Sequence, residues 1–323
     1  MILNEIGLDA GIDHMSAVKM ITEIKAKGGV LRSFRSICRG LPAPEFADNP
    51  FYYKFSWSAR GVLEAGKNAA MYLKDGEMVK IPGGDLFLHA KNSEIHSCFS
   101  MEDSTSYVES YGLQDATTVF YSFVMWSIKE LGLSADSYPV LDRKHPKFSS
   151  WPDFLASYLG VQDKSQLRDA IREKLLTVPN APDRFLNESR RIIKALEWLG
   201  VFDEATEFVT NSTPIDTLCS LLTSRLQFER HERDMILLQH ELGVEWKDGK
   251  CEKLRSTLIA FGDASGETAM AKTVGYPLGI AAELILNNKI QSRGVIGPVL
   301  PEIYEPLLKE LKHRGLTFVE TVV

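Results

Sequence analysis

From Trp151 to Gln227 the chain reads almost wholly in helical period, and strand-like stretches flank that block on both sides. WPDFLASYLG, DKSQLRDAIREKLL, ESRRIIKALEWLG and TPIDTLCSLLTSRLQ each gather apolar residues on one helical face. Sheet elements, then helices, then sheet elements again predict one domain closed from both ends, with the helices inserted. The expected class is α+β: a mixed-sheet α/β domain over residues 13–150 and 228–323, with a helical subdomain over 151–227. The 323 residues suffice for this, and 44% apolar with 25% charged residues is the balance of a soluble globular chain.

Along the chain, MILNEIG predicts a short strand and GLDAG a turn, with Asp13 as a helix cap. A helix over about His14–Lys27 follows, stopped by Gly28-Gly29, and then VLRSFRSIC as a strand. Three prolines between Gly40 and Pro50 predict irregular chain. YYKFSW reads as a strand, ARGVLEAGKNAA as a helix, and MYLKDGEMVKI as a hairpin turning at Asp75-Gly76. A strand near Glu94–Phe99, a helix near Ser104–Tyr111 and a strand near Thr117–Trp126 continue the pattern. Beyond the helical block, RDMILLQHELGVEW and KCEKLRSTLIAFG flank another hairpin turn at Lys247-Asp248-Gly249. Thr268–Leu286 predicts a helix kinked or started at Pro277, its LGIAAELIL stretch buried. PEIYEPLLKELKHRG reads as a capped amphipathic helix and LTFVETVV as a last strand.

Several function classes are disfavoured. A net charge of −6 argues against nucleic-acid and acidic-membrane partners. Cys38, Cys98, Cys219 and Cys251 form no CxxC pair, so zinc or redox spacing is not found and free thiols in a reducing compartment are expected. An uninterrupted apolar run of about 18 residues is missing, so no membrane span is expected. MILNEIGLDAGIDH lacks a basic leader and carries Glu5 and Asp9, which predicts a cytoplasmic protein. HExxH and GxSxG do not occur, and His231 and His240 are expected on opposite sides of a strand edge, so neither a metal nor a hydrolase centre is anchored. GxGxxG does not occur either. Phe261-Gly262-Asp263-Ala264-Ser265-Gly266 has the wrong glycine spacing and an acid that would repel phosphate, so it reads as a strand-to-helix loop.

Two loops carry chemistry. Gly7-Leu8-Asp9-Ala10-Gly11-Ile12-Asp13-His14 places two carboxylates and an imidazole on one strand-to-helix turn, where an open α/β sheet holds its ligands. Carboxylates there can hold an amine or move a proton. Asp13 can equally serve as a cap, and Asp9 as a turn former. His14, at the positive end of the helix dipole, can stay neutral or be purely structural. Gly40-Leu41-Pro42-Ala43-Pro44-Glu45 is the second: its prolines fix an extended backbone that can face a ligand or a second subunit.

In these loops the chain resembles the glutamate-forming saccharopine dehydrogenase (saccharopine reductase) family. NEIGLDAGIDH is similar to that family's NEIGLDPGIDH, and SICRGLPAPEFADNPFYYKFSWSARGVL to its SYCGGLPAPE and NPLGYKFSWSSRGVL segments. The likeness continues in order through TPIDTLCSLL, ERDMILLQHELGVEW, RSTLIAFG, AMAKTVGYPLGIAAELIL and PEIYEPLLKELK. It implies an enzyme of lysine metabolism that interconverts saccharopine with aminoadipate semialdehyde and glutamate, using NADP(H) or NAD(H). It also implies a homodimer whose fold joins a Rossmann domain, a mixed α/β domain and a helical domain; residues 1–12 would be the last Rossmann strand and turn. By the same resemblance Leu8, Asp9 and Ala10 occupy a cofactor-contacting turn, with Ala10 in place of proline, and Asp9 is the acid/base candidate. Ser58 matches a cofactor-contacting serine. Cys38 matches a cysteine near the substrate pocket, beside Arg39 where the family has glycine.

Other positions depart from the family. Its PNRDST motif supplies an arginine to the substrate carboxylate, whereas Ser100-Met101-Glu102-Asp103-Ser104-Thr105 puts Glu102 there. Such a reversal turns attraction into repulsion. The family's RGTLR motif is met by Tyr121-Ser122-Phe123-Val124-Met125, where Phe123, Val124 and Met125 cannot anchor a dicarboxylic amino acid. The glycine-rich turn is also missing. Two explanations stand open: a reading frame that begins late, or a shortened paralogue. The expectation is therefore an oxidoreductase inactive as an isolated chain. Its alternatives are a non-catalytic paralogue serving as a dimer partner or binding module, and a reductase with a changed imine substrate.

Overall fold

The computed structural model describes residues 1–65, 67–74, 77–81, 131, 133, 135, 148–177, 185–209 and 213–323. The strands and helix read between Glu94 and Trp126 lie outside the described residues, as do Glu102, Phe123, Val124 and Met125.

The fold is α+β. A four-stranded antiparallel sheet is built from β2 (Val30–Pro42), β5 (Asp234–Glu245), β6 (Cys251–Phe261) and β8 (Phe318–Val322), in that spatial order. Period-two alternation in β5 turns Ile236, Leu238, His240, Leu242 and Val244 to one buried face. Helix α1 (Ile12–Ala26) lays Met20, Ile21 and Ile24 on that face against Phe34, Leu242 and Val244. Helices α7 (Ala269–Leu286) and α8 (Pro301–His313) cover the rest, with Ile280, Ile303, Leu307 and Leu311 in one core with Ile236, Leu238 and Leu258. The β5–β6 turn forms as the sequence predicts. Gly249 takes φ 81°, the left-handed geometry such a turn demands, and Trp246 N–H reaches Lys250 O at 2.8 Å.

Four helices, α3 (Trp151–Leu159), α4 (Leu167–Leu176), α5 (Phe185–Leu199) and α6 (Pro214–Arg225), form where the sequence places them. They share a second core of Trp151, Phe154, Leu155, Ile171, Leu196 and Leu218. Their ends follow capping chemistry. The Ser150 hydroxyl accepts Asp153 N–H, Thr213 accepts Asp216 N–H, and Gly160 closes α3 at φ 67°. The hairpin of β3 (Ala70–Lys74) and β4 (Glu77–Ile81) is also present, in antiparallel register.

Other expectations are corrected. The first strand, β1 (Ile2–Leu3), has two residues and ends before Glu5, whose φ is 57°. It does not lack a partner: it pairs in parallel with β7 (Val295–Ile296). Helix α1 starts two residues earlier than read, with Gly11 at the cap position and Asp13 inside the first turn. Strand β2 runs through Gly40 to Pro42, because a proline at a strand end forfeits little and Ala43 N–H still finds Arg233 O at 2.9 Å. YYKFSW is not a strand. The Asn49 side chain bonds Phe51 N–H and Tyr53 O, Tyr52 turns at φ 50°, and Lys54 is drawn inward to Glu232. The short helix α2 (Ala59–Ala65) ends early, since Ala70 already belongs to β3. His231 precedes β5 and is exposed, whereas His240 is buried within it.

Helix α7 runs unbroken through Pro277, and its apolar sequence is not all buried: Leu278 is 61% and Leu286 81% exposed. By length and composition it could cross a bilayer. One face of it nevertheless packs on β5 and α8. Its N-terminus is tied down by Asp234, a wholly buried carboxylate on β5 that accepts Ala269 N–H at 2.6 Å and Met270 N–H at 2.8 Å. Helix α8 is amphipathic as read, but no side chain caps it, and Pro301 fills its first turn instead.

Candidate functional site

The link from β1 to α1 is a tight knot of backbone. Gly7 N–H bonds Ala10 O at 3.0 Å, Ile12 N–H bonds Gly7 O at 2.9 Å, and Asp13 N–H bonds Leu8 O at 3.1 Å. Gly11 sits at φ 152°, where a Cβ would lie 2.1 Å from Gly7 O, so only glycine closes this turn. The knot sinks Leu8 into the α/β core and turns Asp9 outward.

Asp9 is exposed on this turn, with protein packed closely around it. Crowding and the neighbouring Asp13 charge push its carboxyl up to about 7, against the pull of His14 and a hydrogen bond with the Cys38 thiol. Asp13 is hydrogen-bonded to Asp9, and its Oδ1 also accepts Gly11 N–H at 2.6 Å. Burial raises it to about 6, while hydrogen bonds from the Gly11 and His14 N–H groups and from Asp9 hold it back. His14 is buried, with Nδ1 3.7 Å from Asp13 Oδ2 and Nε2 3.8 Å from Glu5 Oε2. Its burial lowers its basicity more than Glu5 and Asp9 restore it. An accessible acid with a raised pKa beside a thiol can give or take a proton near neutral pH.

Beneath this cluster lies His240. It faces Phe34 at 5.7 Å on one side and Phe318 at 6.3 Å on the other. Ser16 Oγ lies 2.7 Å from Ile12 O and shares a hydrogen bond with His240 Nε2 at 2.8 Å. Nδ1 is buried and finds no hydrogen-bond partner among the described residues. Burial, then the nearby His14, drive the His240 pKa down to about 3. The sign follows: a base held neutral in the fold stabilises it fully above pH 6.5 and loses that contribution as pH falls toward 3. Urea unfolding at pH 7.5 and pH 4.5 should show wild type losing roughly 2–3 kcal/mol more than His240→Gln on acidification. Parallel loss in both proteins would show that the histidine is not the acid-sensitive group.

Gly40, on the same face of β2 as Cys38, admits Met270 and Ser56: a Cβ there would meet Met270 Cε at 2.9 Å and Ser56 Oγ at 3.2 Å. Val274 of α7 reaches toward Gly7. Asp9 stands beside Cys38, with Ala10 next to it in the knot. Leu8 can offer a ligand only its backbone, because its side chain is core. Ser58 is exposed and begins α2, its hydroxyl accepting Gly61 N–H at 3.1 Å. Missed from sequence were the Asp13 bond to Asp9, the Ser16–His240 pair, and the Gly40–Ser56–Met270 contact. Only the first left a trace there, as two acids four residues apart around a glycine.

A dinucleotide needs free backbone N–H groups to cradle its phosphates. In the knot the Gly7, Gly11, Ile12 and Asp13 N–H groups are all committed, and two carboxyls stand beside them. Those four N–H groups are not free to cradle a pyrophosphate.

Residues 7–316 match the family model described as the saccharopine dehydrogenase C-terminal domain. The chain is similar to saccharopine dehydrogenase (NADP(+), L-glutamate-forming) of Saccharomyces cerevisiae, with 40% identity over all of this chain and 74% of that protein. The protein of the same name from Pyricularia oryzae is 38% identical over the same shares. Rat mitochondrial alpha-aminoadipic semialdehyde synthase is 33% identical over 98% of this chain but 35% of its own length. Among solved structures, the apo histidine-tagged saccharopine dehydrogenase (L-Glu forming) from Saccharomyces cerevisiae superposes with a TM-score of 0.84 at 38% identity, covering 99% of this chain and 74% of that one.

Proposed function

Because the chain belongs to the saccharopine dehydrogenase family, we propose that it serves lysine metabolism on the amine side of the family reaction, between saccharopine and aminoadipate semialdehyde plus glutamate. The observation that carries this reading is the placement of Asp9, an exposed carboxyl in the β1–α1 knot beside Cys38. It holds the position of the family's acid/base candidate. In the direction of saccharopine formation Asp9 gives its proton to the substrate nitrogen; in reverse it takes one back. The Cys38 thiol orients the carboxyl through their shared hydrogen bond.

The relatives named for NADP(+) attach that cofactor to the family. For this chain alone the reading is narrower. Four of the knot's N–H groups are already committed, and Glu102 with Phe123, Val124 and Met125 replaces cationic and polar anchors for saccharopine. The isolated chain is therefore inactive in this reading, and works as a homodimer in a reducing, cytoplasmic setting.

Calorimetric titration of the purified chain with NADPH is expected to show no micromolar binding. Micromolar affinity, or NADPH consumption yielding saccharopine, would overturn the inactive-chain reading. In any assembly that does turn over, Asp9→Asn should slow the chemical step by roughly 10²–10⁴-fold. An unchanged rate would remove Asp9 from the chemistry.

A further inference from the structure

The parallel pair β1–β7 is the least self-sufficient piece of the molecule. Each strand gives two residues, Ile2 beside Val295 and Leu3 beside Ile296. Ile2 N–H bonds Gly294 O at 2.8 Å and Asn4 N–H bonds Ile296 O at 2.9 Å. Among the described residues no third strand joins them. Parallel strands ordinarily lie inside larger sheets covered on both faces, and two strands alone are marginal in water. Here one face is covered and the other is bare. Leu3 and Ile296 pack on the α/β core, whereas Ile2 is 58% and Val295 68% exposed.

Helix α7 carries a second bare surface, and the two adjoin. Ala271, Val274, Gly275, Leu278, Ala282 and Leu286 recur at helical spacing, are all exposed and bear no charge. A Cβ on Gly275 would meet nothing within 4 Å among the described residues, so another backbone can come close to this strip. A Cβ on Gly7 would lie 4.0 Å from Val274 Cγ1, so the strip runs beside the chain just after β1. Lipid could cover the strip, but it offers nothing to the backbone groups along a strand edge. A sheet can meet both needs, adding strands to the ribbon and laying apolar side chains on α7. The Saccharomyces cerevisiae relative has material for one: this chain covers 74% of that protein and leaves about a quarter of it unmatched.

We propose that the β1–β7 ribbon and the bare strip of α7 form one docking surface for an α/β unit that adds parallel strands to the ribbon, the counterpart of that unmatched quarter. Strands parallel to β1 end on the side where β1 ends, and β1 leads straight into the loop of Asp9. Parallel α/β sheets hold their ligands at those strand ends. Docking therefore sets the ligand end of the added sheet beside Asp9, and brings from outside the free N–H groups that the knot has already committed. That consequence rests on the acid–base reading of Asp9; the docking surface rests on the ribbon and the strip.

The test is amide hydrogen exchange on the full chain, alone and mixed with the unmatched quarter of the Saccharomyces cerevisiae relative. A second arm joins that quarter ahead of Met1 through a flexible linker, in case it does not fold unaided. In either arm the Leu3 and Val295 amides should exchange roughly tenfold more slowly than in the chain alone. Leu278→Asp changes a side chain that is 61% exposed, so the variant should fold as wild type does and lose most of that slowing. No slowing in either arm, or slowing that Leu278→Asp leaves intact, would overturn the proposal. So would a chain that sediments alone as a dimer split by Leu278→Asp, or one that binds phosphatidylcholine vesicles through Leu278, since a second copy or a bilayer would then be the cover. Exchange is read without cofactor or turnover, so a failed docking surface leaves the Asp9 chemistry standing.

Discussion

Alanine at Trp151 is expected to lower the unfolding free energy by about 3–5 kcal/mol, enough to leave the helical part of the chain largely unfolded at 37 °C. Trp151 is 1% exposed at the start of α3. Its ring meets Phe154 edge-on at 5.5 Å and Phe208 at 5.1 Å, and its Nε1–H reaches Glu207 O at 3.1 Å. Truncation removes the ring, opens a cavity among aromatics that cannot collapse into it, and takes the indole donor from the Glu207 carbonyl. Trp151→Phe keeps most of the volume and should cost about half as much. Urea unfolding followed by circular dichroism measures both. Equal, small effects would mean that the α3 core is more plastic than its packing implies.

Lys54→Met should cost about 3–5 kcal/mol for a different reason. The Lys54 side chain is 9% exposed and bonds Glu232, itself 5% exposed, while Asp48 lies 3.3 Å away on the surface side. Removing the cation leaves the Glu232 carboxylate buried, with Glu229 N–H still donating to it at 2.7 Å. Pairing the change with Glu232→Leu should recover most of the loss, because a buried ion pair is worth little more than an apolar pair of like volume. A double variant as unstable as the single one would show that the loop, not the charge, is at fault. This pair fastens the segment leading to Ser56 and Ser58, so activity lost on its breakage would come through misplacement of that segment.

Legibility from sequence tracked how local the governing interaction is. The β5–β6 hairpin and the four helices were legible because a glycine turn and a repeating apolar face are properties of neighbouring residues. YYKFSW was misread because its alternation serves a side-chain turn at Asn49 and an ion pair with residue 232. LGIAAELIL was expected to be buried from composition, yet composition does not say which face of α7 meets β5. The site divides likewise. Asp9 and Cys38 were legible through resemblance to a family. The hydrogen bond between Asp9 and Asp13 depends on a backbone knot that residue identities do not specify, and the anchoring of α7 by Asp234 spans 35 positions.

Ile2 stands beside Val295, and Leu3 beside Ile296. A ribosome adding ~5–20 residues per second therefore needs roughly 15–60 s between making the first of these partners and the second. Ile6, Leu8, Ile12 and Met15 emerge early, but their cover includes Ile303, Leu307 and Leu311 from the far end of the chain. The α3–α6 core closes with Leu226 and can condense while synthesis continues. Throughout that interval the apolar side chains of Ile6, Leu8, Ile12 and Met15 lack part of their cover, which makes the segment a natural client for holdase chaperones.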